Sequence, residues 1–269
     1  MATIGTNVGA LNASFYLTLN NEGLNSSIKK LSAGSRLANP VEDAAGVAVS
    51  GKLDATVKRL QAASEGSQNV ISFAQTADGF LKTVQEQLVR MSELAQRATN
   101  AAFGSSDRAN YNQEFTTLRD QITNVLTNAR FNGESLFGAA TVSVGINADG
   151  NTDTFSKVNL TNITNLGLNG SSIGTTTLAA SAITAVSTAL SSITTERANV
   201  NSAISKFQFH INNIRTEKIN VEAANGRIKD LDVAAETAML SKQNILLQAS
   251  TSMLAQANAA QQSVLSLLR

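Results

Sequence analysis

A single proline, Pro40, occurs among 269 residues. The usual share is about 5%, so almost nothing along the chain removes a backbone donor or blocks the hydrogen-bond ladder of a helix. Long helices are the expected consequence. The apolar residues fit: 42% of the chain is hydrophobic but only 4% is aromatic, so aliphatic side chains must fill the core. Glycine, serine, threonine and asparagine are densest between Asn132 and Thr177, where the helical pattern lapses.

Apolar spacing predicts where the helices run. Ile4, Val8, Leu11 and Phe15 share one helical face, and Leu24, Ile28 and Leu31 extend it beyond Gly23, giving an amphipathic helix over 3–33. Asn39-Pro40 then reads as a cap followed by a first helical residue, so a second helix should start there. It continues to about residue 99 through Val49, Leu53, Leu60, Val70, Leu81 and Leu88. After a turn at 104–107, Phe115, Leu118, Ile122 and Leu126 mark a third helix ending near Ala129.

Asn132-Gly133 signals a tight turn, and Val142, Val144 and Ile146 alternate with polar residues before Asp149-Gly150 and the run Phe155, Val158, Leu160. That pattern predicts a β-hairpin. Helical spacing resumes from Ile183 and reaches the C-terminal region past an expected break at Gly226. There Met239, Leu246, Met253, Ala260 and Leu267 recur every seven residues, with Leu240, Leu247, Leu254 and Leu268 beside them. Such a face meets another helix. An intramolecular core and a partner subunit are both open as its occupant.

Several kinds of chemistry lack their residues. Without cysteine there are no disulfides or thiolates, and no Cys-based metal site. The net charge is +1, from 21 basic and 20 acidic residues interspersed along the chain, so no basic stripe offers itself to nucleic acid. No apolar run is expected to reach the roughly 18 residues that span a bilayer, and no cleavable leader is expected.

The one histidine, His210, lies in a helical segment and reads as structural. Glu42-Asp43 and Asp230/Asp232 stand near expected helix starts, where acidic side chains favour the dipole. Gly167-Leu168-Asn169-Gly170 lacks the Lys-Ser/Thr pair of a phosphate loop. No catalytic residue, cofactor or metal ligand is expected. Ser and Thr over 138–182 read as polar turns, with O-linked sugars as the alternative.

The blocks Leu31-Ser32-Ala33-Gly34-Ser35-Arg36-Leu37 and Glu42-Asp43-Ala44-Ala45-Gly46 resemble the N-terminal region of bacterial flagellins. The resemblance continues through Ile71 to Gly79 and Phe131-Asn132-Gly133. It returns at Arg227 to Asp232, at Gln256-Ala257-Asn258 and at Leu265-Ser266-Leu267-Leu268-Arg269. The resemblance implies a mostly α fold, a coiled-coil bundle of the two chain ends with a small β-hairpin region. It further implies an inner terminal-helix domain of 1–43 and 226–269 lining a filament channel. An outer bundle of 44–225 would carry the hairpin at about 138–180.

The implied role is a non-enzymatic subunit of an extracellular flagellar filament, exported by a flagellar type III route without a cleaved signal peptide. Implied partners are further copies of the chain, hook-filament junction and cap proteins, and an export chaperone on the C-terminal region. Packing between helices is assigned to Ile4, Val8, Leu11, Leu24, Ile28 and Leu31, and to Leu240, Leu246, Leu247, Met253, Leu254, Leu267 and Leu268. The stretch Leu88 to Leu94 is similar to the flagellin segment read by an animal innate immune receptor, which points to Arg90, Leu94 and Glu114 as contacts. Val89, Ser92, Gln96 and Arg97 depart from that pattern, and the usual proline near Ala257 to Gln262 is absent. A hook-filament junction protein and a cytosolic coiled-coil adapter are the alternatives.

Overall fold

The computed structural model describes residues 6–266, with the side chains of 264–266 left out of the description. These residues form helices α1 (Val8–Ala33), α2 (Ala44–Ala98), α3 (Ser105–Asn128), α4 (Thr176–Lys229) and α5 (Val233–Ser266). Four short strands lie between α3 and α4: β1 (Arg130–Phe131), β2 (Glu134–Ser135), β3 (Thr141–Gly145) and β4 (Thr152–Ser156). They pair antiparallel as β1-β2 and β3-β4. The chain is mostly α with a small hairpin region. It separates into two compact units, one of residues up to Thr56 and from Asn220, the other Val57–Ile219.

Local chemistry explains the boundaries. Asn7 caps α1 by accepting from the Ala10 amide at 2.9 Å. Gly34 ends it in a left-handed conformation, φ 61, which aims its amide at the Leu31 and Lys30 carbonyls. The second helix starts at Ala44 rather than at Pro40, because the true cap is Asp43, whose Oδ1 accepts from the Gly46 amide at 2.7 Å.

Gly226 does not interrupt α4. The break falls at Asp230-Leu231-Asp232, and Asp232 caps α5 through the Ala234 and Ala235 amides at 3.0 and 3.1 Å. At its other end α4 begins at Thr176, about two turns before Ile183, with the Thr175 hydroxyl accepting from the Leu178 amide.

In the Val57–Ile219 unit, α2, α3 and α4 share one core. Leu81, Leu88 and Leu94 of α2, Phe115 and Ile122 of α3, and Val186, Ile193 and Phe207 of α4 are wholly buried. One stretch of α4 has a mean hydropathy of 1.3, enough by length and composition to cross a membrane. This corrects the expectation that no apolar run approaches that length; its buried residues serve the core instead. Arg197 of α4 donates to both Asp78 oxygens at 2.8 and 3.1 Å and to Gln85 at 2.8 Å, tying the helix to α2.

The β3-β4 hairpin has Val142 opposite Phe155 and is shorter than the spacing predicts, since Val158 and Leu160 lie beyond β4. They still enter the core, as do Leu166, Leu168 and Ile173 of the following loop. Phe155 stands edge-on to Phe73, with ring centroids 5.9 Å apart. The hairpin approaches α2 so closely that a Cβ on Gly66 would lie 2.8 Å from Val144 Cγ2.

Alanine at position 66 is therefore caught between two terms. It gains about 1 kcal/mol of helix propensity and costs about 1–3 kcal/mol of overpacking. Gly66→Ala should be neutral to destabilising in the parent chain and should stabilise by about 1 kcal/mol in a Val144→Ala background. Denaturant unfolding of the four variants measures this; the same sign in both backgrounds would remove Val144 as the cause.

Candidate assembly surfaces

Helices α1 and α5 lie antiparallel in the unit that joins the two ends of the chain. Asn7 Nδ2 donates to the Ala257 carbonyl at 3.0 Å, and Asn20 Nδ2 to Ser250 Oγ at 2.7 Å and the Leu246 carbonyl at 3.4 Å. Gly23 faces Gln243, whose Nε2 comes within 2.9 Å of where a Cβ would stand. The less exposed positions of α1 include Ala10, Ala13, Leu17, Asn20, Leu24, Ser27 and Leu31; those of α5 include Leu240, Gln243, Leu247, Ser250, Leu254 and Ala257. Both series advance in alternating steps of three and four, the repeat of a coiled-coil seam.

Part of that seam is polar. Leucines alternate with Asn20, Ser27, Gln243 and Ser250, and Gln243 Oε1 is buried with no partner among the described residues. The pairing is specific in register but poor in apolar burial. Meanwhile large apolar side chains remain outside: Leu11 and Ile245 are each 66% exposed and Phe15 and Tyr16 each 60%. Val8, Leu19, Ile28, Met239, Leu246 and Met253 are exposed as well. Scattered single apolar residues on a surface are ordinary, but a contiguous set along two helices marks an interaction surface.

The packing residues named from sequence thus divide into two sets. Leu24, Leu31, Leu240, Leu247 and Leu254 occupy the α1-α5 seam, while Val8, Leu11 and Ile28 are exposed outside it, and Leu246 and Met253 line the groove at its edge and stay partly exposed. Ile4, Leu267 and Leu268 lie outside the described residues. Tyr16, Leu19 and Ile245 were missing from that set. Leu19 continues the Val8, Leu11, Phe15 face by one further step of four, whereas Tyr16 and Ile245 stand beside the apolar rows and not on them.

A clasp holds the turns between these helices. The Arg36 guanidinium donates to the Ile228 carbonyl at 3.1 and 3.2 Å and to Asp43 Oδ2 at 3.1 Å, while its backbone amide donates to the Lys229 carbonyl at 2.8 Å. Nearby, Ser50 Oγ donates to Asn225 Oδ1 at 2.8 Å in a buried site, and Asn225 Nδ2 to Asp54 at 2.7 Å.

Glu42 does not serve α2 as a helix-start acid. It reaches back to α1, where it pairs with Lys30 and accepts from Ser26 Oγ at 2.7 Å. The hydrogen bond from Lys30, then that from Ser26, holds its carboxyl well below the ordinary 4.5, at about 2.

A depressed carboxylate contributes stability that is complete above its unfolded value and is lost as pH falls through the folded one. The Glu42 clasp should therefore loosen between pH 4.5 and about 2. Because the group is largely exposed, the effect is local and modest. Amide shifts of Lys30 and Asn39 followed by NMR over that range should move in the parent chain and stay flat in Glu42→Gln. Equal movement in both would assign the transition to another group.

The other residues singled out from sequence lie in the Val57–Ile219 unit. Arg90 donates to Glu114 at 2.8 Å and to Glu93 at 3.0 Å, and these bonds raise its already high pKa further. Leu94 has no exposed surface, so its expected receptor contact is corrected: the side chain fills the core, which leaves Arg90 and Glu114 on the outside. His210 Nε2 stands 2.9 Å from Asp153 Oδ2, whose other oxygen accepts from Lys206 at 2.9 Å. Burial raises the Asp153 pKa, but the bonds from Lys206, the Thr154 amide and His210 outweigh it and lower the value overall. The triplet fastens β4 to α4. Among the described residues no group of three or more His, Asp or Glu side chains is placed to hold a metal.

Comparison with known proteins agrees with this geometry. Residues 4–141 match the bacterial flagellin N-terminal helical region and residues 183–268 the C-terminal helical region. Flagellin of Halalkalibacterium halodurans is 34% identical, with 99% of each chain covered. The flagellar filament 30.7 kDa core protein of Treponema maltophilum is 32% identical over 98% of this chain and 99% of its own. Among solved structures, Bacillus cereus flagellin superposes with a TM-score of 0.51 at 25% identity, over 60% of this chain and 94% of that one. A putative flagellar hook-associated protein from Vibrio parahaemolyticus, 14% identical with a TM-score of 0.57 over 71% of this chain and all of its own, shares the fold. Both ends of the sequence and nearly its whole length therefore carry one signature: the chain belongs to the bacterial flagellin family.

Proposed function

We propose that this protein is the structural subunit of an extracellular flagellar filament, a helical homopolymer turned as a propeller, and that it works by packing rather than by catalysis. The observation that carries the reading is the α1-α5 pair, which joins the two family regions in register yet leaves Leu11, Phe15, Ile245 and Met253 exposed. In a polymer each subunit repeats the same contact, so modest burial per copy accumulates along the assembly. The two compact units then correspond to an inner part of terminal helices and an outer helical bundle with the hairpin.

The same reading extends to its partners and its route out of the cell. Export proceeds through a flagellar type III channel without a cleaved leader, with a chaperone covering the exposed face of α5 beforehand. Junction and cap proteins meet the same terminal helices at the two ends of the filament. Arg90 and Glu114 form the surface open to an innate immune receptor, although their mutual ion pair has to be broken or shared for that contact.

Electron microscopy of the purified chain, after seeding with sonicated filament fragments, tests the central reading. Long filaments are the expected result. A stable finite oligomer would favour a coiled-coil adapter, and growth limited to a few subunits on hook ends would favour a junction protein.

A further inference from the structure

Methionine is an apolar thioether that a peroxide converts to a polar sulfoxide, so exposure decides which methionines react and what the reaction disrupts. Met91 is wholly buried in the helical core, whereas Met239 is 45% and Met253 64% exposed on α5. The two lie two heptads apart with Leu246 midway, so all three occupy one position of the repeat and form one stripe. Met253 and Leu246 also line a groove of about 700 Å³ along α1, together with Tyr16, Asn20 and Ala257. The chain has no cysteine and no tryptophan, so no thiol or indole competes for the oxidant.

We infer that Met239 and Met253 are oxidation sites that control assembly: peroxide converts them to sulfoxides in the free subunit and thereby blocks polymerisation. This rests on the filament reading above. In the reaction a sulfur lone pair attacks one peroxide oxygen, the S–O bond forms as the O–O bond breaks, and the departing hydroxide takes the proton to leave as water. Sulfur loses two electrons and the peroxide gains them. Each product places an S–O dipole within the apolar stripe, where burial in a polymer gives it no assured partner. Once assembled, the stripe is covered and the same sulfurs are protected, so the sites act before incorporation and not after it.

Three tryptic peptides separate Met91, Met239 and Met253, because Arg90, Lys229 and Lys242 each precede one of them. Monomer treated with hydrogen peroxide should gain oxygen at Met239 and Met253 at least about tenfold faster than at Met91. Its critical concentration for polymerisation should rise about tenfold or more. Methionine sulfoxide reductases should restore it, and in a Met239→Leu/Met253→Leu chain peroxide should leave the critical concentration where it stood in that same chain untreated.

Unchanged polymerisation of the oxidised parent overturns the inference and leaves the filament reading intact. So does equal loss in the peroxide-treated leucine variant, which would place the sensitive group elsewhere. Failure of the untreated parent to polymerise at all overturns both.

Discussion

Replacing Leu11 and Phe15 together by serine should abolish filament growth at concentrations where the parent chain polymerises fully. Both side chains are mostly exposed in the subunit, so most of their apolar surface is available for burial in a polymer. Full burial of such a side chain is worth about 1.5–3 kcal/mol; with about two thirds of that at stake at each site, the pair amounts to about 2–4 kcal/mol. The critical concentration should then rise about 30- to 1000-fold. Thermal unfolding of the Val57–Ile219 unit should not move, because neither residue belongs to it. Sedimentation across a concentration series, run beside melting of the soluble chain, separates the cases. A large drop in melting temperature with unchanged pelleting would show that this stripe serves the subunit's own core.

The opposite signature is expected from Phe155→Ala. Phe155 is buried, sits edge-on to Phe73 and carries the hairpin onto the helices. Truncation removes its transfer energy and leaves a cavity, together about 3–5 kcal/mol. For a unit of this size each kcal/mol shifts the midpoint by about 2–4 °C, so the transition should fall by about 6–20 °C. Hydrogen exchange at Thr141 to Gly145 should accelerate in parallel, since those amides belong to the same hairpin. A shift of less than about 2 °C would mean that the core closes over the gap.

These two responses differ because the sequence writes its two kinds of apolar surface in the same letters. Helix existence was legible from the scarcity of proline and from the three-and-four spacing, and Leu81, Leu88, Ile122 and Phe207 fell where the periodicity placed them. Boundaries were less legible. Asn39-Pro40 and Asp43 both satisfy the rules for a helix start, and the choice was made by Arg36 and Lys30, which reach the segment from elsewhere in the fold. Leu166, Leu168 and Ile173 enter the core from an irregular loop, where no period announces them.

For the assembly surface, the seven-residue rows of α5 were visible, but two adjacent rows were equally apolar. Which of them meets α1 depends on the phase set by Asn7, Asn20 and Gly23, residues that hydrophobic spacing ignores. Leu94 shows the same ambiguity from the other side. A leucine within a segment that resembles a receptor site can still be a core residue, and its helical phase with Leu88 and Met91 is what places it inside.

The hydrogen bond from Asn7 to Ala257 closes a loop of 250 residues. Contacts of such separation are entropically the last to form, because closure cost rises with loop length while local helix pairs form early. The α1-α5 seam should therefore zip after the α2-α3-α4 core has folded, and the polar residues within it, Asn20, Ser27, Gln243 and Ser250, weaken its drive to do so sooner. If the chain is exported end first, as proposed above, it has no early reason to commit its first helix. Contact order acts here as a timer: it keeps the amino-terminal segment available until the carboxy-terminal one arrives.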